Sequence, residues 1–163
     1  ILSIVRSPVE RIEANGVAII SDTEDIANAR LQFQNGCVAN VTASRISQNK
    51  MRKMRIFQSD AYISIDFAQG LAEVFRLVDE HAENAKPTML LGKIDQGKKK
   101  RLIVYEQPEV KEVNALQVEL ESFLSAIRNN THPLVSGKEG LQALEVAEEI
   151  LKKIKSQPIP FSL

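Results

Sequence analysis

The first two-thirds of this chain alternate polar and apolar residues, and the last third shifts to the wider spacing of helices. Extended segments are expected at Val9–Ile20, with a break or turn near Asn15-Gly16, and at Asp25–Phe33 and Cys37–Ser44. Met51–Gln58, Ala61–Phe67, Leu71–Val78 and Arg101–Glu106 read as further strands, with tight turns at Gln34-Asn35-Gly36 and Ser59-Asp60. Asp79–Lys100 contains Pro87, Gly92 and Gly97 and reads as irregular structure or a short hairpin.

The register of the first hairpin follows from chemistry. A two-residue turn at Asn35-Gly36 would pair Leu31 with Asn40 and mix polar with apolar residues on one face. A three-residue loop, with Gly36 left-handed, sets Phe33 against Cys37, Leu31 against Ala39, Ala29 against Val41 and Ala27 against Ala43. That face is apolar, so Cys37 is expected to be a small buried hydrophobe. The other face carries Asn28, Arg30, Gln32, Val38, Asn40, Thr42 and Ser44, uncharged except for Arg30. A one-residue slip would exchange the two sets.

Asn114 is placed to cap a helix running to about Arg128, with Leu116, Leu120, Phe123, Leu124 and Ile127 on one stripe. Ser136 and Glu139 form a capping box for a second helix, whose stripe holds Leu141, Leu144, Ala147, Ile150, Leu151 and Ile154. Strands first and helices last predict an α+β fold: an open-faced, mainly antiparallel sheet with helices packed on one face.

The length fits one domain over residues 1–163, of which 1–7 read as the remnant of a preceding helix ending before Pro8. Lysine plus arginine number 21 and aspartate plus glutamate 21, so no charge excess predicts nucleic acid or an anionic membrane as a partner. The lone Cys37 and the lack of a run of about 20 apolar residues fit a cytoplasmic protein.

Candidate chemistry is sparse. His81 and His132 have no metal-ligand partner at usable spacing, so no metal site is expected. No glycine-rich phosphate loop is present, and Lys93, Lys98, Lys99, Lys100 and Arg101 read as a solvated hairpin tip. Arg45, Lys50 and Arg52, at and after a strand end, are the candidate substrate contacts. Asn28, Arg30, Gln32, Val38, Asn40 and Thr42 are the candidate oligomer interface, because uncharged polar groups pair across a two-fold axis without burying ions.

Asp25–Arg45, the hairpin of Arg52–Phe67, and Glu119–Ile150 with Phe123-Leu124-Ser125-Ala126-Ile127, Pro133 and the Ser136–Leu141 helix start resemble the C-terminal domain of the Gfo/Idh/MocA oxidoreductases. The resemblance covers nearly the whole chain. It implies a parent enzyme whose N-terminal Rossmann domain, absent from this chain, binds NAD or NADP, and a C-terminal sheet that completes the substrate site and forms a homo-oligomer. The implied substrates are sugars, cyclitols and nucleotide sugars. The family's glycine fingerprint and catalytic lysine motif have no counterpart here, so neither catalytic residues nor bound cofactor are expected in this chain alone. The alternative is a stand-alone scaffold or binding module that uses the polar sheet face.

Overall fold

A computed structural model describes residues 1–79, 89–96, 99–111 and 113–156. Among the described residues the fold is α+β, with open, mainly antiparallel sheets and three helices. The strands divide into two sheets, one with the order β1-β2-β3 and one with the order β4-β5-β6-β8-β7. They fall in two compact units, residues 1–48 with 119–163, and residues 49–118.

In the first unit, β2 (Ile26–Phe33) and β3 (Val38–Ser44) pair as the chemistry requires, with Ala27 opposite Ala43, Ala29 opposite Val41 and Leu31 opposite Ala39. The Phe33 N–H donates to the Cys37 carbonyl at 2.9 Å, and Gly36 takes φ +83°, closing the three-residue loop. Ala29, Leu31 and Phe33 are buried, and Phe33 is fully so. Cys37 is exposed, against expectation. It closes the loop end of the hairpin opposite Phe33, and its own N–H is held by Asn35 Oδ1 at 3.0 Å.

β1 (Val9–Val17) shifts register against β2 between Val9 and Arg11 but pairs continuously from Arg11 to Val17, and this overturns the turn expected at Asn15-Gly16. Gly16 is there because α3 (Gly137–Lys155) crosses close above it. A Cβ at Gly16 would stand 3.0 Å from Ile154 Cγ2 and 2.9 Å from Glu24 Cγ. Ile154 joins Ala14, Ala29, Leu31 and Phe33 in the core, with Val146 and Ile150 of α3 and Leu2 and Val5 of α1 (Leu2–Val5) packed around them. The capping box of α3 is formed: Glu139 Oε2 accepts from the Ser136 N–H at 2.8 Å, and Ser136 Oγ accepts from the Lys138 N–H at 3.2 Å.

Asn114 Oδ1 caps α2 (Ala115–Arg128) by accepting from Leu116 and Gln117. The α2 stripe does not cover a sheet as the periodicity suggested. Leu116, Leu120, Phe123, Leu124 and Ile127 are all exposed, and Ala126 is its buried residue. Periodicity reports that a helix has an apolar face, not what that face meets.

In the second unit, β4 (Lys53–Phe57) and β5 (Ala61–Asp66) join through the Ser59-Asp60 turn, with the Gln58 N–H on the Ala61 carbonyl at 2.8 Å. β6 (Leu71–Asp79) pairs with β5 and β8 (Lys99–Glu106), and β7 (Met89–Gln96) pairs with β8. The hairpin reading of Asp79–Lys100 holds for β7 and β8, while His81, Pro87, Gly97 and Lys98 lie outside the described residues.

Candidate functional site

Asp25 stands one residue before β2 and is buried, with 2% of its surface exposed. Its Oδ2 accepts from the N–H groups of Ile19 and Ile20, each at 2.7 Å, and of Ser21 at 3.1 Å. Its Oδ1 accepts from Ser21 Oγ at 2.8 Å. Donation from the Ile20 and Ile19 backbone, and then from Ser21, holds the carboxyl well below the usual carboxylate range, against the opposing effect of burial. The carboxylate thus gathers the residue 19–21 segment onto the end of the sheet. This group was missed in the sequence, where Asp25 was read only as the start of the Asp25–Phe33 strand, although the alternation sets it on the same face as Ala27 and Ala29.

The structure ties Arg45 to this hub. Its N–H donates to the Asp25 carbonyl at 2.9 Å, and its Nε lies 3.7 Å from Asp25 Oδ1. The side chain remains 58% exposed, so the guanidinium still has hydrogens to offer a ligand. Lys50 and Arg52 are also exposed, but they belong to the second unit. The three candidates are therefore not gathered within one unit.

The second unit carries a different constellation. Phe57, Tyr62, Phe75 and Tyr105, one from each of β4, β5, β6 and β8, stand in a row with ring centroids 4.8, 5.5 and 5.1 Å apart. On the same face Lys53 Nζ meets Asp66 Oδ2 at 3.0 Å. Asp66 also accepts from the Ala68 and Gln69 N–H groups, and Lys53 is the first cause of its lowered pKa. Tyr105 Oη donates to Glu73 Oε1 at 3.3 Å, and burial, with the Glu73 charge, raises the phenol's pKa.

The face proposed for oligomerisation is exposed along its length. Thr42 Oγ1 donates to Asn28 Oδ1 at 2.8 Å, and Arg30 Nη1 donates to Asn40 Oδ1 at 3.3 Å. β1 adds charge to it: Glu13 lies opposite Arg30, and Arg11, paired with Glu13, lies opposite Gln32. The face is therefore less neutral than the hairpin alone suggested.

An open groove of about 630 Å³ lies between β1 and α3. Glu10, Glu13, Glu145 and Glu149 outnumber Arg11 and Lys153 along it, so its field disfavours phosphates. Among the described residues no three His, Cys, Asp or Glu side chains converge on a metal position, and no helix is long and apolar enough to cross a membrane. His132 is exposed in the loop between α2 and α3.

Comparison with known proteins agrees with this architecture. UDP-N-acetylglucosamine 3-dehydrogenase of Acidithiobacillus ferrooxidans is 31% identical over 143 residues, which are 88% of this chain and 41% of that protein. A solved structure of that enzyme superposes with a TM-score of 0.79 at 26% identity, over 95% of this chain and 45% of its own. The WlbA dehydrogenase of Bordetella pertussis, in complex with NADH and UDP-GlcNAcA, shares the fold at a TM-score of 0.57 and 16% identity, over 95% of this chain and 40% of its own. The chain thus spans less than half the length of the proteins it matches. The profile of the oxidoreductase family's C-terminal alpha/beta domain matches residues 5–161, and the chain belongs to that Gfo/Idh/MocA family.

Proposed function

We propose that this chain is the substrate-binding and oligomerisation domain of a cytoplasmic NAD- or NADP-dependent dehydrogenase that acts on a sugar, cyclitol or nucleotide sugar. The observation that carries this reading is the 31% identity to a UDP-N-acetylglucosamine 3-dehydrogenase along 88% of the chain, which favours the nucleotide-sugar class. In this reading a preceding Rossmann domain holds the nicotinamide, the sheets and their loops hold the substrate, and hydride passes from a sugar carbon to the cofactor. Two features of the chain support a division of labour. A dinucleotide pyrophosphate is normally seated on a glycine-rich turn at a helix N-terminus, and the sequence offers no such turn after a strand. The α2 stripe also exposes five large apolar residues, more than a solvated helix normally shows.

Arg45, Lys50 and Arg52 are proposed to meet the anionic or hydroxylated substrate, since an arginine fork matches phosphate oxygens in pairs. Asn28, Arg30, Gln32, Val38, Asn40 and Thr42 are proposed to form the homo-oligomer contact. Calorimetric titration of NAD and NADP against the full-length enzyme and against this chain tests the division. The account expects binding by the full-length enzyme alone; stoichiometric binding by this chain overturns it.

A further inference from the structure

The aromatic row of the second unit ends on an open ring. Its centroid spacings of 4.8 to 5.5 Å are close to the distance of about 4.8 Å between neighbouring strands, so the rings stand side by side, one per strand. Tyr62 and Phe75 each have a ring on both sides, and Phe57 has one on one side. β4 is an edge strand, and Phe57 is 76% exposed.

The backbone of β4 adds polar groups to that edge. The Phe67 N–H donates to the Arg52 carbonyl and the Gln58 N–H to the Ala61 carbonyl, which makes Arg52, Met54, Ile56 and Gln58 the residues bonded inward to β5. Antiparallel alternation then turns the N–H and C=O of Lys53, Arg55 and Phe57 outward. The side chains of these same three residues share the face that carries the aromatic row.

Charge narrows the occupant. Lys53 is engaged by Asp66, whereas the exposed Arg55, Arg52 and Lys50 have no carboxylate partner among the described residues. A second copy adding its own β4 about a two-fold axis at Arg55 would set Arg55 against itself, and like charges directly opposite are destabilising. A flat ring bearing phosphates meets both features, since aromatic side chains stack on any base and arginine forks onto phosphate. Arg55 and Phe57 are two residues apart on one strand, about 6.6 Å, comparable with the reach from a pyrimidine across its ribose to the first phosphate.

We propose that the β4 edge is the nucleoside-diphosphate subsite of a nucleotide-sugar substrate, with the base stacked on Phe57 and the phosphates held by Arg55, supported by Arg52 and Lys50. This rests on the nucleotide-sugar reading above and deepens it. It also separates this edge from the acidic groove beside α3, which disfavours the same ligand.

The test is titration of the isotopically labelled chain with UDP, uridine and inorganic pyrophosphate, followed by backbone amide shifts. UDP is expected to move the Arg55, Phe57 and Tyr62 amides. Phe57→Leu is expected to weaken UDP about tenfold, the scale of one base–aromatic stack, and to leave pyrophosphate unchanged. Arg55→Gln is expected to weaken both. Unshifted β2–β3 amides in each variant show that the fold is intact. The subsite is overturned if UDP moves amides elsewhere, moves none, or binds both variants as it binds the wild type. Full-length enzyme that turns over a UDP-sugar with an unchanged KM in Phe57→Leu also overturns the subsite and leaves the substrate class standing. Full-length enzyme that turns over no UDP-sugar removes the substrate class itself, and the subsite with it.

Discussion

Asp25 and Arg45 are joined twice, by the Arg45 N–H on the Asp25 carbonyl at 2.9 Å and by the Arg45 Nε 3.7 Å from Asp25 Oδ1. The first contact continues the ladder past the ends of β2 and β3. The second keeps an exposed guanidinium over a buried carboxylate whose other acceptor sites are taken by the Ile19, Ile20 and Ser21 donors. The loop of residues 19–21 and the strand end at Arg45 therefore share one anchor.

The anchor has a pH signature. The folded carboxyl of Asp25 titrates below its unfolded value of about 3.9, so its contribution to stability is present above that value and is lost as pH falls towards the folded one. Asp25→Asn is expected to lower stability near neutrality, because an amide accepts fewer of the Ile19, Ile20 and Ser21 hydrogens. It should also flatten the acid limb of the stability profile below about pH 4. Thermal melts of both proteins across that range check this. Parallel profiles would show that Asp25 does not carry the acid dependence.

Arg45→Ala separates substrate binding from folding. The ion pair is long and its arginine exposed, so the loss of stability is expected to be at most about 1 kcal/mol. The proposed role predicts a larger effect on kcat/KM in the full-length enzyme, about tenfold or more. Unchanged kinetics beside a lowered melting temperature would leave Arg45 as an anchor for the loop alone.

Gly16→Ala tests the close crossing of α3 over β1. The new methyl would meet Ile154 Cγ2 at 3.0 Å and Glu24 Cγ at 2.9 Å. Overpacking of this kind costs about 1–3 kcal/mol, partly offset by about 0.5–1 kcal/mol from a less flexible unfolded chain. A net loss of about 1 kcal/mol in urea denaturation is expected, while an equally or more stable variant would show that the helix shifts freely.

The same crossing shows where sequence reasoning stops. The β2–β3 register was legible because it is local, and one slip would have put Asn40 opposite Leu31 on the packed face. Gly16 was misread because beside Asn15 it looks like turn chemistry, while the reason for it, Ile154, sits in the last helix. The buried state of Asp25 is set by three backbone donors whose convergence no spacing encodes. Phe57 and Tyr62 flank the Ser59-Asp60 turn but were not read as a pair, and extending the row to Tyr105 needs the β6–β8 register across a long separation. The α2 stripe was legible as apolar, and its exposure was not.

Asn40→Lys probes the proposed assembly surface. Asn40 lies opposite Arg30 and accepts its Nη1 hydrogen, so lysine there sets like charges together on one copy at a cost of about 0.2–1 kcal/mol. Across a two-fold contact the charge is repeated. Light scattering is expected to show the wild type as an oligomer and the variant shifted towards monomer, with a melt that moves little. A monomeric wild type, or undiminished assembly in the variant, would show the face to be solvated.

The central claim is that this domain belongs to a nucleotide-sugar dehydrogenase. Its most direct test is the appearance of reduced nicotinamide when full-length enzyme is mixed with UDP-N-acetylglucosamine and NAD or NADP. The account predicts turnover with the nucleotide sugar and far less with free N-acetylglucosamine, which lacks the diphosphate proposed to meet Arg55. Equal turnover of the two, or none with any UDP-sugar, would contradict it.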